Sequence, residues 1–282
     1  MPKLLGIIGY PLGHTLSPAM HNAAFKALGL DFEYLSFEVA PPNLSAAIND
    51  LRARQIVGFN ITVPHKETII PLLDDVTKLA KIIGAVNTAT LQDGQLIGYN
   101  TDGEGFIASL KEDAKESPAE KRVVVLGAGG ASRAVCVMLA ENKAKNIAIA
   151  DIDGKKAEAL ANYVGSLFKT TVSFVPPNSP VLQTMLNAAD ILINTTPIGL
   201  HPNEERSPLE NNIKLHPGLL VYDLVYNPSE TKLLKDAKAA GCRTCSGLGM
   251  LVRQGALAFT IWTGKEAPIA VMRQAAEQEL LR

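Results

Sequence analysis

The chain has 282 residues, 47% of them hydrophobic and 20% charged, with 27 Lys and Arg against 28 Asp and Glu. That length accommodates two medium domains with sizeable cores, and the near balance of charge, with no long run of one sign, argues against nucleic acid or a membrane surface as partner. A small molecule is the expected ligand, and three cysteines are too few for a secreted disulfide framework.

The first apolar run, Leu4 to Ile8, is bounded by Gly and Pro and is too short for a signal peptide; it predicts a buried strand. No apolar stretch reaches the roughly 18 to 20 residues that a bilayer demands, so a soluble, cytoplasmic protein is expected. Strands over Phe32 to Phe37, Val57 to Thr62 and Thr88 to Ile97 alternate with helical stretches, which predicts α/β layering. Asp93-Gly94, between Thr90-Leu91 and Gln95-Leu96-Ile97, has the chemistry of a two-residue hairpin turn and predicts one antiparallel pair.

From Lys111 to Arg122 the sequence is charged and aperiodic, and then Val123-Val124-Val125-Leu126 opens a second domain. A helix to about Glu141, a strand Asn146 to Ala150, a helix from Lys155, strands near Thr171, Ile191 and Leu219, and a final helix rich in Ala and Leu follow the βαβ rhythm of a doubly wound sheet. Cys242-Arg243-Thr244-Cys245 has redox-motif spacing but lies in a helix, turn and short-strand context, where no functional dithiol is expected.

Gly127-Ala128-Gly129-Gly130-Ala131-Ser132 follows four β-formers and opens an apolar helix, the context that gives a glycine pattern its meaning. The glycines allow a tight turn and close approach of a pyrophosphate to a helix N-terminus, where free N–H groups and the dipole favour negative charge. The next strand ends at Asp151, where an acidic side chain accepts hydrogen bonds from a ribose 2′-OH and repels a 2′-phosphate. NAD is therefore expected in preference to NADP, with Asp151 as a helix N-cap the structural alternative.

Three clusters in the first domain combine polar residues with sharp turns. In Thr15-Leu16-Ser17-Pro18, Ser17 is either the N-cap of a helix with Pro18 in its first turn, or it joins Thr15 in binding a carboxylate. In Asn60-Ile61-Thr62-Val63-Pro64-His65-Lys66, Pro64 ends the strand and Lys66 is expected on the exposed start of a helix, where a cation opposes the dipole and so calls for a functional reason. Asn87 and Asp102 sit in small-residue turns, Gly84 to Thr88 and Gly98 to Gly103. Together they suit a small polyhydroxylated acid, with Lys66 beside a carbonyl. His14, His21 and His65 lack metal-ligand spacing, so no metal is expected.

These motifs, with Asn194 to Gly199, Asp223 to Pro228 and Gly247 to Ala256, resemble the shikimate dehydrogenase family along nearly the whole chain. The resemblance implies an α/β protein of two domains: a discontinuous substrate-binding domain, 1–102 plus 250–282, and a Rossmann dinucleotide-binding domain, 103–249, with the active site in the cleft between them. It implies NAD(P)-linked interconversion of 3-dehydroshikimate and shikimate in a monomer or homodimer. Lys66 and Asp102 would be the catalytic pair, Thr15 and Ser17 would hold the carboxylate, and Thr62, Asn87, Tyr226 and Gln254 would contact substrate. Gly127, Ala128, Gly129, Gly130, Ala131, Asp151, Thr195 and Gly247 would hold the dinucleotide. Two departures stand out: Thr15 replaces the usual serine, and Asp151-Ile152-Asp153 replaces the Asn-Arg-Thr of NADP-using members. The second is shared with NAD-preferring quinate/shikimate dehydrogenases, which makes quinate the alternative substrate. A non-catalytic dinucleotide sensor is the alternative of another class, disfavoured by the presence of both Lys66 and Asp102.

Overall fold

A computed structural model describes residues 2–13 and 15–281; His14 lies outside the described residues. The chain divides into two compact units, Met1–Gly105 with Leu251–Arg282, and Phe106–Met250.

In the first unit the elements run β1 (Lys3–Gly9), α1 (Ser17–Ala27), β2 (Phe32–Glu38), α2 (Leu44–Ala53), β3 (Gly58–Ile61), β4 (Asp75–Val76), α3 (Lys78–Ile83), β5 (Thr88–Gln92), β6 (Gln95–Tyr99) and the start of α4 (Asp102–Glu112). The sheet order is β2-β1-β3-β5-β6-β4. β1 pairs in parallel with β2 and β3, whereas β5 runs antiparallel to both β3 and β6. The β5–β6 turn is Asp93-Gly94, with φ of 49° and 79°, the left-handed values that a two-residue hairpin requires. β3 is buried throughout because both of its neighbours are strands; Phe59 and Ile61 join Ile8, Ile48, Leu51 and Val86 in one apolar cluster. Burying each such side chain is worth about 1.5–3 kcal/mol, so the strand ends that carry the polar site rest on a firm layer.

The second unit contains β7 (Arg122–Leu126), α5 (Gly130–Glu141), β8 (Asn146–Ala150), α6 (Gly154–Leu167), β9 (Thr171–Phe174), α7 (Pro180–Ala188), β10 (Ile191–Asn194), β11 (Leu220–Asp223), α8 (Lys232–Ala239) and β12 (Arg243–Ser246). All pairings are parallel and the order is β12-β11-β10-β7-β8-β9. Strand neighbours therefore reverse direction of winding at β7 and β10, the point where open α/β sheets bind ligands at their carboxyl ends. Helices cover both faces of such a sheet, so β7, β8, β10 and β11 read as nearly continuous apolar runs with no alternation.

The carboxyl-terminal segment holds two helices where the sequence predicts one: α9 (Leu248–Thr263) and α10 (Ile269–Leu280). Gly264 adopts φ of 66° and Pro268 caps α10, so the apolar period continues while the backbone breaks. All three cysteines are free. Cys242 precedes β12 and Cys245 lies within it, with the sulfur of the first near His216 O and that of the second near its own neighbour Ser246 O. Burial pushes the Cys136 thiol up to about 12.

Candidate active site

Lys66 does not sit on a helix. It lies in the turn that follows β3, its side chain 15% exposed, with its carbonyl accepting the N–H of Val86 at 2.8 Å. The dipole argument for a functional lysine therefore falls away, and a stronger one replaces it. Lys66 Nζ is 2.6 Å from Asp102 Oδ2, and the Asp102 side chain is only 7% exposed. A buried ion pair adds little net stability because its desolvation offsets its attraction.

Asp102 is the first residue of α4, where the helix dipole favours a carboxylate. Its second oxygen, Oδ1, accepts from Asn87 Nδ2 at 2.9 Å. The Asn87 amide can point only one way, since its Oδ1 accepts the backbone N–H of Thr101 at 2.7 Å. Asn87 Nδ2 also reaches Thr101 Oγ1 at 2.8 Å and Gln254 Oε1 at 3.3 Å. Gln254 is buried, its own Nε2 donating to Leu251 O at 2.7 Å, so it is no solvated residue of a helix face. Its approach depends on Gly105: a Cβ there would lie 2.8 Å from Gln254 N and 3.0 Å from its Cα.

Ser17 is not an N-cap. Leu16 holds that position without a side-chain cap bond, and Ser17 is the buried first residue of α1. Thr15 Oγ1 donates to Ser17 Oγ at 3.3 Å and accepts the Ser17 N–H at 3.4 Å. Two hydroxyls thus gather at the N-terminus of an 11-residue helix, an arrangement suited to a carboxylate. Thr62, half-buried, follows β3 and donates its N–H to Ile8 O at 2.9 Å.

Asn60, Thr88 and Thr101, given no role from the sequence, are all buried. Asn60 Nδ2 donates to Asn87 O at 3.2 Å and Thr88 Oγ1 at 2.9 Å. The available signal was an asparagine inside the otherwise apolar strand Gly58–Ile61.

In the second unit, Gly127 has φ of 102°, and a Cβ there would lie 2.6 Å from Thr195 Oγ1, so only glycine fits. Ser132, where a third glycine was absent, donates Oγ–H to Gly127 O at 2.7 Å and ties the helix to the turn. Gly129 is the extended N-cap of α5, followed by Gly130 and Ala131, which leaves the first N–H groups of a 12-residue helix facing out of the turn. Asp151 is not a helix cap; Asp153 caps α6, accepting the Lys156 N–H at 3.1 Å. The Asp151 carboxylate instead accepts Ala128 N–H at 2.7 Å and Asp153 N–H at 2.8 Å. Beside the turn, Thr195 Oγ1 donates to Leu126 O at 2.7 Å; Gly247, just beyond β12, donates its N–H to Val225 O at 3.3 Å. Asp223 is fully buried and takes hydrogen bonds from Asn194, Val225 N–H and Thr231; burial nonetheless raises its carboxyl to about 6. Tyr226, half-buried just beyond β11, has its phenol pushed up by burial. These features fit a dinucleotide: a Cβ-free cradle, a free helix N-terminus and a fixed carboxylate at the end of the following strand. Among the described residues no cluster of His, Cys, Asp and Glu could hold a metal, and no helix is long and apolar enough to cross a membrane.

A doubly wound dinucleotide-binding unit joined to a mixed α/β unit that holds a buried lysine–carboxylate pair defines an NAD(P)-dependent oxidoreductase acting on a small polar substrate. Residues 7–89 match the shikimate dehydrogenase substrate binding domain, 247–277 the shikimate 5′-dehydrogenase C-terminal domain and 123–207 the saccharopine dehydrogenase NADP binding domain. The shikimate dehydrogenase (NADP(+)) of Methanopyrus kandleri is 46% identical over 99% of this chain and 96% of its own length. A crystal structure of shikimate dehydrogenase in complex with NADP+ superposes with a TM-score of 0.92 at 44% identity, covering 100% of this chain and 96% of that one. Shikimate 5-dehydrogenase from Listeria monocytogenes, in complex with shikimate and NAD, gives 0.88 at 37% identity, covering 97% and 96%. The chain belongs to the shikimate dehydrogenase family.

Proposed function

We propose that this chain catalyses the reversible NAD(P)-linked reduction of 3-dehydroshikimate to shikimate, in the cytoplasm and on the path to aromatic amino acids, with NAD favoured over NADP. The observation that carries the reading is the Lys66–Asp102 pair at 2.6 Å, buried and joined through Asn87 to the rest of the polar site. A ring acid fits the polar groups of the first unit, with Thr15 and Ser17 hydroxyls for the carboxylate and Thr62, Asn87, Asp102 and Gln254 for ring hydroxyls and the carbonyl; the family resemblance adds Tyr226 from the second unit.

The nicotinamide supplies and accepts a hydride. Lys66, as an ammonium, would donate a proton to the ketone oxygen as the carbon is reduced and take the hydroxyl proton back on the oxidative path, while Asp102 holds the lysine side chain in place. Positioned proton transfer of this kind contributes about 100- to 10,000-fold in rate. Gly127, Ala128, Gly129, Gly130 and Ala131 would present the backbone to a pyrophosphate, with Thr195 walling the turn and Gly247 contributing from the end of β12.

Asp151 supports the preference for NAD. Its carboxylate is fixed by two backbone N–H groups at the strand end where a ribose 2′-OH is read. Ile152, 93% exposed, stands where an arginine would stack on a 2′-phosphate. Quinate is the second candidate substrate, because the resemblance shares the acidic Asp151 segment with NAD-preferring quinate/shikimate dehydrogenases.

Initial rates of shikimate and quinate oxidation, each with NAD and with NADP, test the proposal. Faster turnover of shikimate with NAD is expected. Turnover of neither acid would overturn the substrate assignment, and a preference for NADP would overturn the role given to Asp151.

A further inference from the structure

Tyr34 lies on β2, 1% exposed, one strand removed from the residues assigned to substrate. Three independent contacts fix it. Asn22 clamps its backbone, with Nδ2 donating to Tyr34 O at 3.0 Å and Oδ1 accepting Tyr34 N–H at 2.9 Å. The His21 ring stacks on the tyrosine ring, centroids 4.5 Å apart and planes 12° from parallel. Its phenol oxygen lies 2.6 Å from Asn60 Oδ1.

The direction of these bonds can be deduced. Asn60 must turn its NH2 toward Asn87 O and Thr88 Oγ1, so its Oδ1 faces Tyr34 and the phenol donates. Burial holds that phenol protonated. Thr88 Oγ1, having accepted from Asn60, donates onward to Asn87 Oδ1 at 3.3 Å, and Asn87 Nδ2 donates to Asp102. Donors therefore run one way, from Tyr34 through Asn60, Thr88 and Asn87 to the Asp102 carboxylate, which meets Lys66 from the other side. Bonds aligned in series polarise one another, and each amide in the chain has a single allowed orientation.

We propose that Tyr34 is a positioning residue: its hydroxyl sets the Asn60 amide and, through Thr88 and Asn87, the orientation of Asp102 toward Lys66. The inference rests on the substrate assignment above.

The test is a double-mutant cycle on the full chain with Tyr34→Phe and Asn60→Ser. Tyr34→Phe keeps the ring and its stack and removes one hydrogen bond, so kcat falls roughly 3- to 10-fold, the range for one such bond, with the dinucleotide KM unchanged. In the Asn60→Ser background the same substitution changes kcat less than about twofold, because its route to Asp102 is already cut. Additive losses, or a lower melting temperature with kcat intact, would overturn the proposal and leave Tyr34 a packing residue. A second arm needs no substrate: in nitrogen-15 spectra, the Asn60 side-chain NH2 protons are expected to exchange with solvent at least tenfold faster in Tyr34→Phe. Unchanged exchange overturns the proposal even if the protein turns over neither shikimate nor quinate, so failure of the substrate assignment is read separately.

Discussion

Ala128 donates its backbone N–H to Asp151 Oδ2 at 2.7 Å, so the glycine-rich turn and the end of the next strand are one hydrogen-bonded unit. The carboxylate that is proposed to read the ribose is thus held by the loop proposed to hold the pyrophosphate. Asp151→Asn keeps one acceptor for Ala128 and removes the charge. The ratio of kcat/KM with NAD to that with NADP is expected to fall about tenfold, equivalent to ~1.4 kcal/mol. An unchanged ratio would show that the charge plays no part in the selection.

Gly105 and Gln254 set the spacing of α4 and α9 within the first unit. Gly105→Ala places a methyl group 2.8 Å from a backbone nitrogen, which cannot swing aside as a side chain would. A loss of about 1–3 kcal/mol in unfolding free energy is expected, the usual result of overpacking, with kcat lowered as Gln254 moves from Asn87. Denaturant unfolding and initial rates on the same sample check both effects.

Asp223 gives a pH dependence of defined sign. Its folded value, about 6, lies above the unfolded one, so its stabilising contribution is complete below about 4 and is lost as pH rises through 6. Asp223→Asn has no such titration, and its amide can donate to Thr231 Oγ1 while still accepting from Asn194 and Val225. Relative to that variant, the wild type is expected to lose on the order of 2 kcal/mol between pH 4 and pH 7, checked by melting both proteins across that range. Parallel curves would contradict the burial argument.

His21 titrates in the opposite sense. Neither ring nitrogen has a hydrogen-bond partner among the described residues, and burial lowers its value to about 3. Its contribution is complete above about 6.5 and is lost as pH falls toward 3, because the unfolded chain takes up a proton that the core refuses. His21→Phe is expected to flatten the acid limb of the stability curve between pH 6 and pH 4. A limb of unchanged slope would mean that the imidazole is protonated in the fold.

The parts legible in the sequence were those fixed by local chemistry. Gly127 to Ser132 declared a turn and a helix start, and Asp93-Gly94 declared a hairpin; both appear where their residue types require them. Lys66 and Asp102, named on resemblance, are brought together by the pairing of β3 with β5 and β5 with β6. Less legible were features that depend on neighbours distant in sequence. Lys66 was expected on the start of a helix because Pro64 ends the strand, yet the segment is held as a turn by His65 N–H to Thr62 O and Ile69 N–H to His65 O. Ser17 carried the signature of an N-cap, but Leu16 took that place and left the hydroxyl for the site. Tyr34 and Asn60 meet only because β1 pairs with both β2 and β3, a register that no local pattern announces.

The central claim is that Lys66, held by Asp102, moves the proton in hydride transfer. The direct test is the rate of shikimate-dependent dinucleotide reduction at 340 nm in wild type and in Lys66→Ala, with dinucleotide affinity measured on both. The account predicts a loss of about 100- to 10,000-fold in kcat at unchanged dinucleotide affinity. Near-full turnover by Lys66→Ala would contradict it.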